Sequence, residues 1–225
     1  MYVNLADADG STSYTGDGTS GLYIAYAQLE ESNYASSLML PTTEGSTTSR
    51  VGDAVTGGGN SSLFSGVNSS GTLYAEIAAN SNDLTERRVA LTDGTVTNRV
   101  DIQYNTNSNS VSCRLSGSVV TINEVFALTD ITVFNKIAVR WSATDVNVYI
   151  NGVSVFSNSD DYSFTGVIFD GLSLSSDYAN SKYFYGKTKQ VAVFDYLSDD
   201  QMVKLTEEGY NTFNALATAN NFIIR

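Results

Sequence analysis

Residues 146 to 156, VNVYINGVSVF, alternate apolar and polar positions on either side of Asn151-Gly152. A period of two puts Val146, Val148 and Ile150 on one face of a strand. Asn-Gly is the dipeptide best able to fill the two positive-φ positions of a type I′ turn, whose twist matches the strands it joins. The stretch therefore predicts a hairpin, with Val153 and Val155 continuing the apolar pattern beyond the turn. Just upstream, NKIAVRWSATD sets Ile137, Val139 and Trp141 on one face and Ala138 and Arg140 on the other. Together these segments predict a meander buried on one side.

The same reading along the chain predicts strands near 21–30, 71–78, 87–93, 98–105, 110–114, 117–126, 132–142, 145–150, 153–157, 166–175 and 187–196, several of them separated by turn chemistry such as Thr92-Asp93-Gly94 and Ser116-Gly117. So many short strands argue for an all-β sandwich or jelly roll of two antiparallel sheets. Trp141, Val139, Val148, Ile150, Val191 and Val193 are the expected core. One helix is signalled in LSDDQMVKLTEEG: Ser198 caps, Gln201 reaches back in a capping box, and Asp199 and Asp200 sit where the macrodipole favours anions. Met202 and Leu205 form its inward stripe, and Gly209 is its expected stop. A second short helix over 210–218 and a terminal strand NFIIR complete the prediction.

Composition agrees with the pattern, because a chain with one proline that is rich in Ser, Thr, Asn, Gly, Tyr and Val has an antiparallel β composition. At 225 residues it can bury a full core. The net charge of −12 is scattered, and no Lys/Arg stripe stands out along the sequence, which argues against nucleic acid and anionic membrane as partners. The opening MYVNLADADG has neither the basic start nor the apolar run of a secretory signal, and no apolar run approaches a membrane span. Cys113 is the single cysteine and there is no histidine, so an intrachain disulfide is excluded. With no imidazole to activate it, Cys113 reads as a small strand residue rather than a nucleophile.

Candidate chemistry lies on the faces turned away from the core. In NRVDIQYN, Arg99, Asp101, Gln103 and Asn105 oppose Val100, Ile102 and Tyr104; in GTLYAEI, Tyr74 and Glu76 oppose Leu73, Ala75 and Ile77; and Arg140 opposes Trp141. Planar and charged hydrogen-bonding groups beside tyrosine suit sugar hydroxyls and rings, although the same pattern describes an ordinary solvated sheet face. The segment SSDYANSKYFY adds Tyr178, Asn180 and Tyr183 as loop candidates. Asp7, Asp9 and Asp17 place oxygen donors at a loop spacing suited to a structural calcium. They lack the terminal bidentate glutamate of an EF-hand, no other cofactor is expected, and no His/Cys set exists for a transition metal.

The blocks KIAVRWSATDVNVYINGVSVF and KYFYGKTKQVAVFDYLSDDQMVKLT resemble the end of concanavalin A-like (laminin G-like) jelly-roll domains, over roughly residues 66–210. A third block, GDGTSGLYIAYAQLEESNYASSLMLPTTEGSTTSRVGD, is similar to a junction in bacteriophage tail and fibre proteins. There a Y-I-x-x-A-Q-L-E segment ends one sandwich, and an Arg-x-x-Asp leads into the next. Here those positions are Tyr23, Ile24, Ala27, Gln28, Leu29 and Glu30, then Arg50 and Asp53, with Ala25-Tyr26 where Trp-Gly is common. The resemblance implies an N-terminal arm over 1–35, a Ser/Thr/Gly-rich connector over 36–65 and a jelly roll with a C-terminal helical segment over 66–225.

It also implies a structural and adhesion module on a virion surface, made in the host cytoplasm without a signal peptide. Its expected partners are other copies of itself, other virion proteins and host surface polysaccharide. The lone strand over GLYIAYAQLEE favours an oligomer, a trimer by the resemblance, held in part by residues 1–35. A purely structural module without sugar binding is the alternative, and a polysaccharide-cleaving enzyme is the second. Against the enzyme, glycoside hydrolases of this fold need carboxylates at i, i+2 and i+4 of one strand, and the chain has no Glu-x-Asp-x-Glu.

Overall fold

The computed structural model describes residues 11, 15–19, 23, 27–43, 45–49, 55, 58–117, 121–174, 182–207 and 218. The chain forms two compact units, residues 1–49 and 50–225. In the first unit the Gln28 side chain organises a loop: its amide donates to the Glu30 carboxylate and its carbonyl accepts the Met39 N–H at 2.6 Å. The Ser36 N–H closes the same loop onto Glu30 at 3.1 Å. The strand expected over 21–30 falls partly outside the described residues, and residues 27–30 are not in a strand. The helix expected over 210–218 and the terminal strand also lie outside them, apart from residue 218.

The second unit is a sandwich of two five-stranded antiparallel sheets. Sheet I comprises β1 (Gly71–Ala79), β6 (Asn135–Trp141), β7 (Val146–Ile150), β8 (Val153–Asn158) and β10 (Gly186–Phe194), in the order β10-β1-β6-β7-β8. Sheet II comprises β2 (Arg87–Thr92), β3 (Arg99–Tyr104), β4 (Ser110–Ser116), β5 (Thr121–Ala127) and β9 (Gly171–Ser173), in the order β5-β4-β3-β2-β9. Helix α1 (Asp199–Thr206) follows β10. This is the two-sheet antiparallel sandwich expected from the strand pattern, and it is consistent with the concanavalin A-like jelly roll that the resemblance implied.

The turn between β7 and β8 has φ of 48° at Asn151 and 83° at Gly152, which is the positive-φ pair that the Asn-Gly dipeptide predicts. Between the sheets, Leu73, Ile77, Val139 and Trp141 meet Val89, Leu91, Ile102 and Leu115 in one continuous core. Trp141 is fully buried and donates its indole N–H to the Val67 carbonyl at 2.9 Å, with Phe164 and Phe169 edge-on to its ring. Gly71 lies opposite Trp141, and a Cβ there would come within 2.7 Å of the indole. Tyr104 spans the sandwich, its hydroxyl donating to the Ile77 carbonyl at 3.0 Å, and burial pushes its phenol pKa up. Of the expected core only Val191 is partly exposed, where it borders the opening between β9 and β10.

The two lateral sides of the sandwich differ. Phe126 of β5 and Phe156 of β8 meet at 6.5 Å and close one side. On the other, a cavity of about 250 Å³ opens between β9 and β10, walled by Val89, Leu172, Leu174 and Val191. The capping box forms as expected: the Ser198 hydroxyl accepts the Gln201 N–H, and the Gln201 side chain accepts the Ser198 N–H at 2.9 Å. The helix stops at Thr206, three residues short of Gly209, with Glu207 as an extended C-cap.

Candidate functional site

On the outer face of sheet I, Tyr74 pairs with Ala138 on β6 and with Ala192 on β10. It belongs to a second apolar cluster with Tyr149, Phe194, Met202 and Leu205, and it is 1% exposed. An eight-residue amphipathic helix must bury its stripe somewhere, and α1 does so here, which removes Tyr74 from solvent. Arg140 is buried on the same face. Its Nη1 donates to the Leu197 carbonyl at 2.8 Å and to Asp199 Oδ1 at 2.7 Å, while Nη2 donates to Asp145 Oδ2 at 2.6 Å.

The Arg140 guanidinium also stacks 4.6 Å from the Tyr196 ring. Burial works against the Asp145 carboxylate, but the Ser142 hydroxyl and the Arg140 charge outweigh it and hold its pKa below the usual range. Glu76 is buried too, and accepts from Lys189 Nζ at 2.7 Å. Tyr74, Glu76 and Arg140 were expected on an open face; the structure corrects this, since they anchor the helix and brace the sheet edge.

The outer face of sheet II carries the other group. Arg99, Asp101 and Gln103 point away from the core, flanked by Arg88 on β2 and by Ser112, Arg114 and Ser116 on β4. Arg99 Nε donates to Asp101 Oδ2 at 2.8 Å, and Arg88 Nε donates to Gln103 Oε1 at 2.9 Å. Gln103 Nε2 donates to Glu86 Oε1 at 2.8 Å, and Lys182 Nζ reaches the same oxygen at 3.0 Å. Asp101 Oδ1 has no hydrogen bond and lies 3.7 Å from Arg88 Nε.

Arg99, Asp101 and Gln103 are 9%, 1% and 2% exposed, so the expected solvated row is corrected as well. Long side chains on neighbouring strands hydrogen-bond across the face and exclude water from one another. What remains accessible is the margin of this network: Arg114 and Asn123 at one side, and Glu86, Lys182, Tyr183 and Tyr185 at the other. Burial works against the charged Glu86, but the Lys182 ammonium and the Gln103 amide hold its carboxyl below the usual range. Tyr183 and Tyr185 stand with ring centres 6.0 Å apart, tilted by 60°.

The predicted residues are thus divided between opposite faces: Tyr74, Glu76 and Arg140 on sheet I, and Arg99, Asp101 and Gln103 on sheet II. Tyr183 lies beside Lys182 at the edge of the second group. Tyr178 and Asn180 lie outside the described residues. Sequence reasoning missed Glu86, Arg88, Arg114, Lys182 and Tyr185, although the alternation in RRVALT and SVSCRLS does turn Arg88 and Arg114 outward. Asp7 and Asp9 are outside the described residues, and Asp17 accepts the Thr19 N–H at 2.8 Å in a local turn. Among the described residues no group of three His, Cys, Asp or Glu side chains could hold a metal, and no helix is long and apolar enough to cross a membrane. Cys113 faces the core; burial, with the nearby Asp101 charge, pushes its thiol pKa far up and leaves it inert.

A family model described as the concanavalin A-like lectin/glucanases superfamily matches residues 52–204, well over half of the chain. The chain belongs to this superfamily. Its sandwich is similar to the CBM40 module of the Ruminococcus gnavus IT-sialidase bound to α2,6-sialyllactose, with a TM-score of 0.52 at 16% identity, covering 62% of this chain and 85% of that one. The leech intramolecular trans-sialidase complexed with 2,7-anhydro-Neu5Ac gives a TM-score of 0.51 at 16% identity, covering 65% of this chain. The chain spans 25% of the leech enzyme's length. Identities this low establish a shared sandwich and no more. No curated protein matches the chain. For this member of the superfamily, a ligand site has to be argued from its own residues.

Proposed function

We propose that the domain is a non-catalytic glycan-binding module that uses the outer face of sheet II. The observation that carries this is the chain of contacts from Arg99 to Lys182, hydrogen-bonded except for the 3.7 Å ion pair between Asp101 and Arg88, whose buried members fix the accessible ones in place. Arg88 and Gln103 are held by the sheet and in turn hold Glu86, so that Glu86 and Lys182 meet a ligand at little ordering cost. Tyr183 and Tyr185 supply the flat apolar surface on which a sugar ring packs. The CBM40 module, a carbohydrate-binding module of the same fold captured with a sialylated sugar, supports the reading by analogy. The sequence resemblance to phage tail and fibre junctions extends it: the module sits on a virion surface, with copies of itself and other virion proteins as neighbours and host polysaccharide as its target.

Glycan-array binding of the full chain, followed by calorimetry on the best sugar, tests the reading. Saturable binding that is lost in Tyr183→Ala and Tyr185→Ala supports it; a flat array removes it. A second reading, a structural module that binds no sugar, is favoured by one observation: Arg99, Asp101 and Gln103 already bond to protein groups. The flat array is its expected outcome. Immunogold labelling of purified particles tests the virion placement separately.

A further inference from the structure

We infer that the glycan is an acidic one, and that Arg99 and Arg114 hold its carboxylate or sulfate; this rests on reading the outer face of sheet II as the sugar site. The chain has 24 acidic side chains against 12 basic ones, two carboxylates for each cation. The outer face of β2 to β5 reverses that balance. Register places Arg114 directly opposite Asp101 and Arg88 opposite Gln103, while Arg99 precedes Asp101 by two residues on the same face. Three arginines therefore neighbour one aspartate in the sheet register. Among the described residues of these four strands, Asp101 is the sole acidic side chain on that face.

The single carboxylate does not neutralise all three. Asp101 takes one hydrogen bond, from Arg99 Nε, and lies at 3.7 Å from Arg88. Arg114 turns away from it, with Nε and Nη2 both 3.4 Å from the Asn123 amide oxygen. Neither Arg114 nor the terminal nitrogens of Arg99 have a further partner among the described residues. The two arginines are diagonal neighbours on adjacent strands, because Arg99 pairs with Ser116 and Arg114 lies two residues before it. Diagonal positions are separated by about 7–8 Å, so two long side chains converge on one small anion between them.

A guanidinium fork matches the geometry of a carboxylate or sulfate, and the largely buried Arg99 and half-buried Arg114 act in a lower dielectric than surface lysines do. Ser116, Thr121 and Asn123 border the pair with hydroxyl and amide groups suited to sugar hydroxyls. Neutral sugars would give Arg114 and the terminal nitrogens of Arg99 no anionic partner. An acidic sugar satisfies them.

Calorimetry on the full chain with lactose, 6′-sialyllactose, an oligogalacturonate, a heparin octasaccharide and inorganic polyphosphate tests this. At least one acidic sugar is expected to bind, and Arg114→Gln to weaken that binding about tenfold to a hundredfold. Lys204→Gln, an identical charge change on α1, should leave it unaltered, and raising salt from roughly 50 to 500 mM should weaken it. The sialyl and galacturonate arms report a carboxylate and the heparin arm a sulfate. Lactose binding as tightly as 6′-sialyllactose, with no effect of Arg114→Gln, overturns the inference and leaves the glycan reading standing. Polyphosphate binding as tightly as the sugars overturns it in favour of unselective charge attraction. No sugar binding in any arm overturns both.

Discussion

The two outer faces of the sandwich start from the same sequence pattern and end in opposite states. On sheet I, Tyr74, Ala138 and Tyr149 lie beneath α1, which completes an apolar cluster with Met202 and Leu205. On sheet II, Arg88, Arg99, Asp101 and Gln103 form a hydrogen-bonded charge network with accessible margins. Alternation says only that a residue points away from the core. Whether it then meets a helix, its neighbours or a ligand depends on which chain segment comes back over the face. Arginine serves both outcomes: Arg140 is consumed by Asp145, Asp199 and the Leu197 carbonyl, whereas Arg114 finds only an amide oxygen.

If sheet I's outer face is structural and sheet II's is functional, variants should separate stability from binding. The largest effect is expected from Leu205→Ala, which opens a cavity in the fully buried helix interface and should cost about 2–5 kcal/mol by chemical denaturation. Sugar binding should survive below the new midpoint, and its loss would show that the faces are coupled. Arg140→Met should cost about 3 kcal/mol, because Asp145 would keep its burial and lose its main cation; an unchanged midpoint would mean that apolar packing alone holds the helix.

A smaller effect comes from acid. Asp83 is held at about 2, below its ordinary value of 3.8, by Arg87 and by hydrogen bonds from Ser81 and Thr85, against an opposing effect of burial. A depressed carboxylate stabilises the fold fully above its unfolded pKa. That contribution, about 2 kcal/mol, is lost as pH falls from about 4 towards 2. Asp83→Asn should therefore lower stability at neutral pH and flatten its decline below pH 4, and parallel pH curves for the two proteins would contradict the assignment. The smallest stability effect belongs to Arg114→Gln, expected within about 0.5 kcal/mol of the parent. A large loss would move Arg114 from the ligand surface into the scaffold.

Local rules read correctly where one short stretch contains the whole determinant. Asn151-Gly152 specifies its turn because both residues tolerate positive φ, and Ser198 with Gln201 specifies the helix start because both partners of the capping box lie within four residues. The inward faces of β1, β6 and β7 were legible for the same reason: period two and a buried side leave one register. Boundaries were less so. The strand expected over 166–175 shrinks to Gly171–Ser173, since pairing with β2 covers only Thr92 to Ala90. The site was legible in part: Arg99, Asp101 and Gln103 come from a single strand, but Arg88, Arg114, Glu86 and Lys182 join them through pairings between segments as far apart as Lys182 and Glu86.

Sequence by itself determined the all-β class, the Asn-Gly turn, the helix start and the inward-facing residues of β1, β6 and β7, because each follows from steric or hydrogen-bonding preferences within a few positions. On β8 it did not, since Val153 and Val155 are exposed beyond a register shift in the β7–β8 pairing. Tertiary structure alone decided that α1 docks on sheet I and not on sheet II, burying Tyr74 and engaging Arg140. It alone brought Arg88 and Arg114 to the Arg99–Asp101 pair, because register between strands, and no local preference, sets which side chains from different strands share a face.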